Sequence, residues 1–374
     1  MRHIRSAAAA LGLLALAACG AGEDGPIYLG LAGPISQPNG RSFRLAAEMA
    51  VDEINRAGGI RGRRLELVQL DDQANPERAI EVATELRDDP RIVAVIGHIN
   101  SAATIEAAKI YNDEDNGVLQ ISPASSSPLV TEAGPWTFRV CPSDLQHGPT
   151  LASWTYERLG RRRAAVLYAN DDYGRGLLDT FSRAFEEAGG TIVARDPFLP
   201  SLITSPDALD PYLERAIAAG MDALVVAGQA AEALTILTAA RRLGFHGPVL
   251  GADGITNLRD AGEIAEGVYI TSAFLPDRPT ERAQKFVRDY VARYEELPDH
   301  RGAMAYDAIH LVARALAEVG TDRRTLRDHI ARVGSELPAY EGVSGTIIFD
   351  ENGDVARKDV AVGIVRQGRI LTAS

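Results

Sequence analysis

Short polar segments follow four of the apolar stretches that are typical of strands, and they hold the side chains best suited to binding a small ligand. In a doubly wound parallel sheet, ligands bind outside the carboxyl ends of the strands. We therefore expect these segments to line a binding edge. The four segments are Gly97–Ser101, Ser122–Pro128, Asn170–Gly174 and Ala252–Gly254.

The first two segments are rich in hydrogen-bond donors and contain neither a carboxylate nor a lysine. Ser101 begins a predicted helix, where unpaired amides at the positive end of the helix dipole favour an anion. The loop Ser122–Ser127 adds hydroxyl and amide donors. Together the two segments suit a small anionic group such as a carboxylate. An ordinary helix N-cap at Ser101 and a solvated turn at the serine loop explain the same residues, so both interpretations stay open.

The other two segments offer an aromatic ring and an acid. Tyr173 stands at the start of a predicted helix that Asp171 or Asp172 would cap, and its ring could lie over an apolar group of a ligand. Asp253 follows an apolar strand and could pair with an ammonium, although an Asp-Gly turn accounts for it equally well. Donors in one half of the chain and an acid with a ring in the other are complementary to an α-amino acid.

The elements that position these segments repeat along the chain. Strands and helices alternate from Ile27 to Ile121 and again from Ala164 to Gly251. Two of the strands, Ile92–Ile96 and Ala223–Ala227, are apolar throughout, which is typical of a parallel sheet covered on both faces. The pattern predicts an α/β protein of two similar domains in succession. The C-terminal third is expected to complete both domains, so that the chain crosses between them more than once and forms a multi-stranded hinge.

Composition excludes several classes of function. A chain of 374 residues suggests two domains, and a formal net charge of −12 argues against nucleic-acid binding. The sequence lacks a Gly-x-Ser-x-Gly motif, a phosphate-binding loop and any histidine spaced with cysteine as zinc ligands are. We therefore expect no enzyme activity, no cofactor and no metal. His98 lies in the first polar segment, and we interpret it as structural and not catalytic.

The N-terminus indicates export. Two arginines within residues 1–5 precede the uncharged apolar run Ala7–Ala18, and Cys19 follows. This resembles a bacterial lipoprotein signal, with residues 1–19 as the signal peptide, lipid attached to Cys19 and residues 20–25 as a tether. The run is too short for a transmembrane helix, so the lipid would be the chain's attachment to the membrane. Cys141 would then have no partner for a disulfide, and we interpret it as a small apolar core residue.

Several motifs in order resemble the leucine/isoleucine/valine-binding protein family, whose members serve branched-chain amino acid ABC transporters. The resemblance implies a type I periplasmic binding fold, with two Rossmann-like lobes joined by a three-strand hinge that closes on the ligand. The implied bounds are 26–140 plus 274–356 for one lobe and 141–273 plus 357–374 for the other. The motifs are GPIS, AAEMAVDEINRAGGIRGRRLELVQLDD, VIGHINSAAT, ISPASSSPLVT, DDYGRG and AEGVYIT.

The resemblance also assigns roles at the site. It places the ligand carboxylate on Ser101, Ala124 and Ser126, an aromatic contact on Tyr173 and the ammonium on Asp253, where branched-chain binders carry Glu. Asn100, which precedes Ser101 in the chain, is also a candidate ligand-binding residue. Two positions depart from the family pattern. Relatives often carry tyrosine at the position of Gln229. The segment QPNGRSF places Asn39 and Arg41 in the region where relatives present an aromatic residue to the ligand. Both changes favour a ligand side chain more polar than that of leucine.

The expected function is that of an extracytoplasmic solute-binding lipoprotein that delivers an amino acid to an ABC transporter permease. One alternative is a sensing or accessory lipoprotein that uses the same two-lobed closure. Another is a transport protein for an amide, urea or an aromatic acid, which would not need the ammonium partner Asp253.

Overall fold

A computed structural model describes residues 25–203, 205–355 and 358–374. The predicted signal peptide, the lipidated Cys19 and the tether up to residue 24 lie outside these residues. Within the described part of the chain, no helix is both long and apolar enough to cross a membrane.

The first lobe is built on a five-stranded sheet whose strands are all parallel. Its spatial order is β2-β1-β3-β4-β5. Leu29, Leu31 and Ile96 of this sheet are fully buried because helices cover both faces. The strands are β1 (Ile27–Gly33), β2 (Leu65–Asp71), β3 (Ile92–Gly97), β4 (Leu119–Ser122) and β5 (Thr137–Arg139).

Six helices pack in this lobe, three from the beginning of the chain and three from its last third. The long helix of the last third contributes Met304, Ala308 and Leu311 to the same core as Leu29 and Leu31. The helices are α1 (Pro38–Arg56), α2 (Pro76–Asp88), α3 (Ser101–Tyr111), α8 (Glu281–Tyr294), α9 (His300–Val319) and α10 (Arg323–Ile330). A small antiparallel pair, β11 (Tyr340–Gly342) and β12 (Gly345–Ile347), follows them.

The second lobe is built on a seven-stranded sheet of order β14-β13-β10-β9-β8-β6-β7. Its strands are β6 (Arg163–Ala169), β7 (Thr191–Phe198), β8 (Ala223–Ala227), β9 (Val249–Gly251), β10 (Tyr269–Ser272), β13 (Ala361–Arg366) and β14 (Arg369–Thr372). Its helices are α4 (Asp144–Ser153), α5 (Asp172–Glu187), α6 (Asp210–Ala218) and α7 (Ala230–Arg242).

The two lobes share one winding order. The five parallel strands of the second sheet run β7-β6-β8-β9-β10, which repeats the 2-1-3-4-5 order of the first sheet. In each lobe the order reverses beside the first strand, and binding crevices form at that reversal. The chain passes from the first sheet to the second after β5, back after β10 and across again before β13. The fold class predicted from the sequence, two doubly wound lobes with a three-strand hinge, is confirmed.

Several elements differ from the sequence-based prediction. The apolar spacing in the sequence predicts a helix over Arg44–Ala57, but α1 begins at Pro38, because proline occupies the first helical turn without loss of a hydrogen bond. The sequence likewise predicts a helix over Ala303–Val319, but α9 begins three residues earlier at His300, where Asp299 accepts a hydrogen bond from the amide of Gly302. The short strand β5 and the helix α4 were not predicted. Pro149 lies inside α4 and hides it from a periodicity search.

Candidate functional site

The structure brings the first two polar segments together in the first lobe. The amide of Ser127 donates to Ser101 Oγ at 3.2 Å, and the hydroxyls of Thr104 and Ser125 are 2.6 Å apart. The first intrahelical bond of α3 runs from the Thr104 amide to the Asn100 carbonyl. The amides before it have no partner in the helix and form a cluster of donors beside the serine loop.

This cluster contains buried polar atoms that nothing in the described part of the chain satisfies. Ser126 Oγ and Asn100 Oδ1 are shielded from solvent and have no hydrogen-bond partner there. Ala124 is buried at the same bend, where its amide is 3.4 Å from Ser122 Oγ. Buried polar atoms are normally paired, so unpaired ones in a cleft indicate the place of a ligand. Asn100, and not Ser101, occupies the N-cap position, but its side chain makes no capping bond.

The third and fourth segments meet in the second lobe. The hydroxyl of Tyr173 donates to Asp253 Oδ1 at 3.4 Å and accepts from the amide of Gly254 at 3.1 Å. Burial, together with the charge of Asp253, raises the pKa of Tyr173 well above its usual value, so the phenol keeps its proton. The other oxygen, Asp253 Oδ2, is buried and has no hydrogen-bond partner among the described residues.

A second buried acid lies close to this pair. Asp144 begins α4, and its backbone amide donates to the Ser126 carbonyl of the serine loop at 2.7 Å. The Ser126 hydroxyl lies close enough to this carboxylate to lower its pKa, although neither carboxylate oxygen makes a hydrogen bond of ordinary geometry in the described chain. Burial raises the pKa of Asp144 well above its usual range, and the negative charge of Asp253 raises it further. The cleft thus contains two buried acids.

Two histidines flank the free oxygen of Asp253. His147 Nε2 is 3.7 Å from Asp253 Oδ2, and His300 Nε2 is 3.8 Å from the same atom. Both side chains are fully buried, and neither Nε2 has a hydrogen-bond partner within the described residues. Burial lowers the pKa of His147, and burial together with the nearby Arg301 lowers the pKa of His300 to about 4. Both imidazoles are therefore neutral near pH 7.

Arg301 joins the two lobes beside this group. It lies on α9 of the first lobe, and Nη1 donates to Thr256 Oγ1 of the second lobe at 2.8 Å. Its Nη2 is 3.3 Å from the carbonyl of Asp253 and 3.4 Å from that of Gly254. The guanidinium also pairs with Asp299 of its own lobe at 3.3 Å. The described conformation is accordingly a closed one.

Three further residues of the sequence analysis have other surroundings. Gln229 is the N-cap of α7 at the carboxyl end of β8, and its backbone amide donates to Glu232 Oε2 at 3.0 Å. Arg41 pairs with Glu296 in a largely exposed position, and it lines a crevice between the lobes together with Asn257 and Arg259 of the second lobe. His98 is a core residue, because its Nδ1 is 2.5 Å from Asp72 Oδ2 and both side chains are fully buried.

Sequence reasoning missed Asp144, His147, His300 and Arg301. Asp144 and His147 stand on the helix that Pro149 concealed, although the capping box of Ser143 with Gln146 marks its beginning. His300 and Arg301 occupy the first turn of α9, where Asp299 was available as an N-cap signal.

Two lobes of doubly wound sheet that close over unpaired donors on one side and unpaired acceptors on the other define a solute-binding protein. A model of the family described as periplasmic binding protein matches residues 27–369, and this chain belongs to that family. Members of this family bind solutes, and the relatives described below are binding proteins and not enzymes.

Three similar proteins show how far the resemblance extends along the chain. The leucine-, isoleucine-, valine-, threonine- and alanine-binding protein of Pseudomonas aeruginosa is 29% identical over 346 residues, which cover 90% of this chain and 89% of that protein. An ABC transporter substrate-binding protein from Desulfitobacterium hafniense in complex with Leu is 33% identical, with a TM-score of 0.80 over 93% of this chain and 100% of that one. The branched-chain amino acid transporter substrate-binding protein of Streptococcus pneumoniae in complex with isoleucine is 28% identical, with a TM-score of 0.83 over 93% and 99%.

Proposed function

We propose that this protein is an extracytoplasmic solute-binding lipoprotein that captures an α-amino acid between its lobes and delivers it to an ABC transporter permease. The observation that carries the proposal is the opposition of buried, unpaired groups across the cleft. Ser126 Oγ and the free amides of α3 are donors on one side, and Asp253 Oδ2 is an acceptor on the other. A zwitterionic α-amino acid satisfies both at once.

Each end of the ligand has its own set of residues. The carboxylate binds to Ser101 and Ser126 and to the backbone at Ala124, beside the N-terminus of α3, where Asn100 occupies the N-cap position. The ammonium binds to Asp253 Oδ2, and Tyr173 covers the ligand while holding Asp253 Oδ1. A ligand of the α-amino acid class agrees with the relatives from Desulfitobacterium hafniense and Streptococcus pneumoniae, whose structures contain leucine and isoleucine.

The ligand side chain is proposed to be more polar than leucine. Gln229 stands at the carboxyl end of β8 and brings a polar side chain to the position where relatives often carry tyrosine. Threonine, which the Pseudomonas aeruginosa relative is named for, has a side chain of that kind. Competition in which leucine or valine displaces every polar amino acid would refute this part of the proposal.

Delivery requires the protein to remain close to its transporter. Lipid on Cys19 would hold the protein at the membrane, and the tether would let the closed lobes reach a permease. Mass spectrometry of protein recovered from membranes tests the anchor, because a diacylglycerol on Cys19 adds a defined mass that a Cys19→Ser variant cannot carry.

Isothermal titration calorimetry against the twenty L-amino acids, selected amides, urea and aromatic acids tests the ligand class. The protein is first unfolded and refolded to release any ligand that co-purifies. We expect one α-amino acid to bind, with affinity falling about 10- to 100-fold in Ser101→Ala and at least as much in Asp253→Asn.

The matching α-hydroxy acid, which lacks the ammonium, distinguishes the two ends of the ligand. Its binding should fall in Ser101→Ala but change little in Asp253→Asn. Binding of an amide or aromatic acid while every amino acid remains silent would leave the fold in place and overturn the amino-acid assignment.

A further inference from the structure

The hydrogen bonds around His300 favour one of its two neutral tautomers. Its Nδ1 faces Thr256 Oγ1 at 3.5 Å. The hydroxyl of Thr256 is placed to donate to the Asp253 carbonyl at 3.0 Å, and Arg301 Nη1 donates to the same hydroxyl at 2.8 Å. With its one hydrogen engaged in this way, Thr256 Oγ1 accepts from His300 when the ring proton is on Nδ1. In that tautomer Nε2 is an acceptor.

This acceptor points at another acceptor. His300 Nε2 and Asp253 Oδ2 are 3.8 Å apart, both buried, and neither has a hydrogen-bond partner among the described residues. Tyr173 already occupies the other oxygen of Asp253. Two buried acceptors that face each other without a hydrogen between them are unfavourable. A group with at least two N–H bonds placed between them satisfies both.

His147 stands on the other side of the same oxygen. Its Nε2 is 3.7 Å from Asp253 Oδ2, and its Nδ1 is 3.0 Å from the hydroxyl of Thr271. When Nδ1 donates to that hydroxyl, as His300 donates to Thr256, Nε2 of His147 becomes a third acceptor. His147 comes from α4 of the second lobe, whereas His300 comes from α9 of the first.

We infer that His300, together with Asp253, binds the ammonium of the ligand and restricts the site to primary ammonium groups. The inference rests on the proposed function and extends it by adding a ligand group from the first lobe. A primary ammonium has three N–H bonds and can donate to Asp253 Oδ2 and His300 Nε2 simultaneously. An N,N-dimethyl ammonium has one N–H bond and leaves one of these acceptors unpaired.

The neutral state of His300 supports this assignment. Burial lowers the pKa of His300 to about 4, and the adjacent Arg301 acts in the same direction, while Asp253 and Asp299 oppose it. The ring is therefore neutral at pH 7, where an α-amino group is protonated.

Long-range ¹H–¹⁵N NMR on protein labelled at histidine tests the tautomer without any ligand. Comparison with His300→Gln assigns the signal. We expect the Nε2 resonance of His300 at the position of an unprotonated imidazole nitrogen at pH 7. A proton on Nε2 would overturn the inference, because His300 would then donate to Asp253 and need no ligand.

Calorimetry tests the selectivity. The probes are the tightest-binding of the twenty L-amino acids and its N,N-dimethyl derivative, measured in the presence of EDTA. In the native protein we expect the primary amine to bind at least 30-fold more tightly. In His300→Leu this ratio should fall at least fivefold, and His300→Gln, which keeps an acceptor, should retain most of it.

The matched control is His246→Leu, which makes the same change at an exposed histidine. A purely structural role for His300 would weaken both probes equally, leave the ratio unchanged and overturn the inference while the proposed function stands. Binding that EDTA abolishes would also overturn it, since the cation between the acceptors would then be a metal. If no amino acid binds at all, the proposed function itself fails.

Discussion

At the scale of single residues, the cleft is notable for acids buried without cations. Asp144 and Asp253 are both buried, and the cationic side chains close to them are already engaged. Arg139 pairs with Asp354 and with the serine-loop carbonyls, while Arg301 pairs with Asp299 and the second lobe. Because the negative charge of Asp253 adds to the burial that raises the pKa of Asp144, a cationic group is favoured in this cleft.

Replacement of Asp144 by Asn should stabilise the ligand-free protein, and more so at high pH. Burial raises the folded-state pKa of Asp144 above its unfolded value near 3.9, so folding takes up a proton when the pH lies between these values. The resulting destabilisation is absent below the unfolded pKa and grows as the pH rises toward the folded one. Each pKa unit of difference costs about 1.4 kcal/mol.

The measurement is the melting temperature of native and Asp144→Asn protein at pH 4.5 and pH 7.5, without ligand. The gain from the substitution should be larger at pH 7.5. Asp179→Asn, an exposed change on α5, serves as the control and should shift neither value appreciably. A gain that is equal at both pH values would contradict the buried-acid interpretation.

At the scale of elements, α4 is a short helix that carries Asp144 and His147, although its sequence disfavours helix formation. Pro149 lies in its interior, where the missing amide and the ring disfavour the helix. A complete capping box stabilises the other end of the helix. The Ser143 side chain accepts a hydrogen bond from a backbone amide of the first turn, and Gln146 Oε1 accepts one from the Ser143 backbone amide. Gly148 lets α4 approach α5 closely, since a Cβ there would lie 2.3 Å from Thr180 Oγ1.

Removal of the cap should therefore affect stability and binding together. Ser143→Ala should lower the free energy of unfolding by about 1 kcal/mol, measured by urea denaturation. It should also weaken ligand binding, because Ser143 Oγ bonds the Ser126 carbonyl of the serine loop at 3.3 Å. Ser205→Ala is the matched control, since Ser205 is also an N-cap but makes no side-chain capping bond. Equal effects of the two substitutions would refute a special role for the cap.

At the scale of the whole molecule, a few polar contacts beside the proposed binding site join the two lobes. Arg301 spans the cleft with three hydrogen bonds to the segment 253–256, and Arg259 makes one to the Leu297 carbonyl at 3.1 Å. Each lobe keeps its own core, so the lobes can separate without loss of packing inside either. Closure is therefore set by the ligand and by these contacts.

Arg301→Gln should shift the ligand-free protein toward an open conformation. Hydrogen bonds to a charged donor contribute about 1.5–3 kcal/mol each, so the loss should reduce ligand affinity at least about tenfold. Small-angle X-ray scattering should show a larger radius of gyration than for native protein. Arg259→Gln, which removes one bond across the same cleft, should have a smaller effect. A variant that binds normally and stays compact would show that Arg301 is not needed for closure.

The fold could be predicted from the sequence because its determinants are local and repeated. Apolar strands such as Ile92–Ile96, helix signals such as Asn75-Pro76 and the alternation of strands with helices specify doubly wound sheets at every step. The Asn75 side chain does accept from the Arg78 amide as an N-cap should. Export and lipidation likewise follow from the N-terminal pattern alone, and they remain predictions because those residues are not described.

The sequence by itself also determined which segments stand at strand ends, so it could propose Ser101, the serine loop, Tyr173 and Asp253 as one site. Only the tertiary structure decided that Asp253 keeps one oxygen free between two histidines from different lobes. That arrangement depends on distances between α4, α9 and the end of β9, which lie more than 40 residues apart in the chain. No local pattern encodes such distances, because closure of the two lobes sets them.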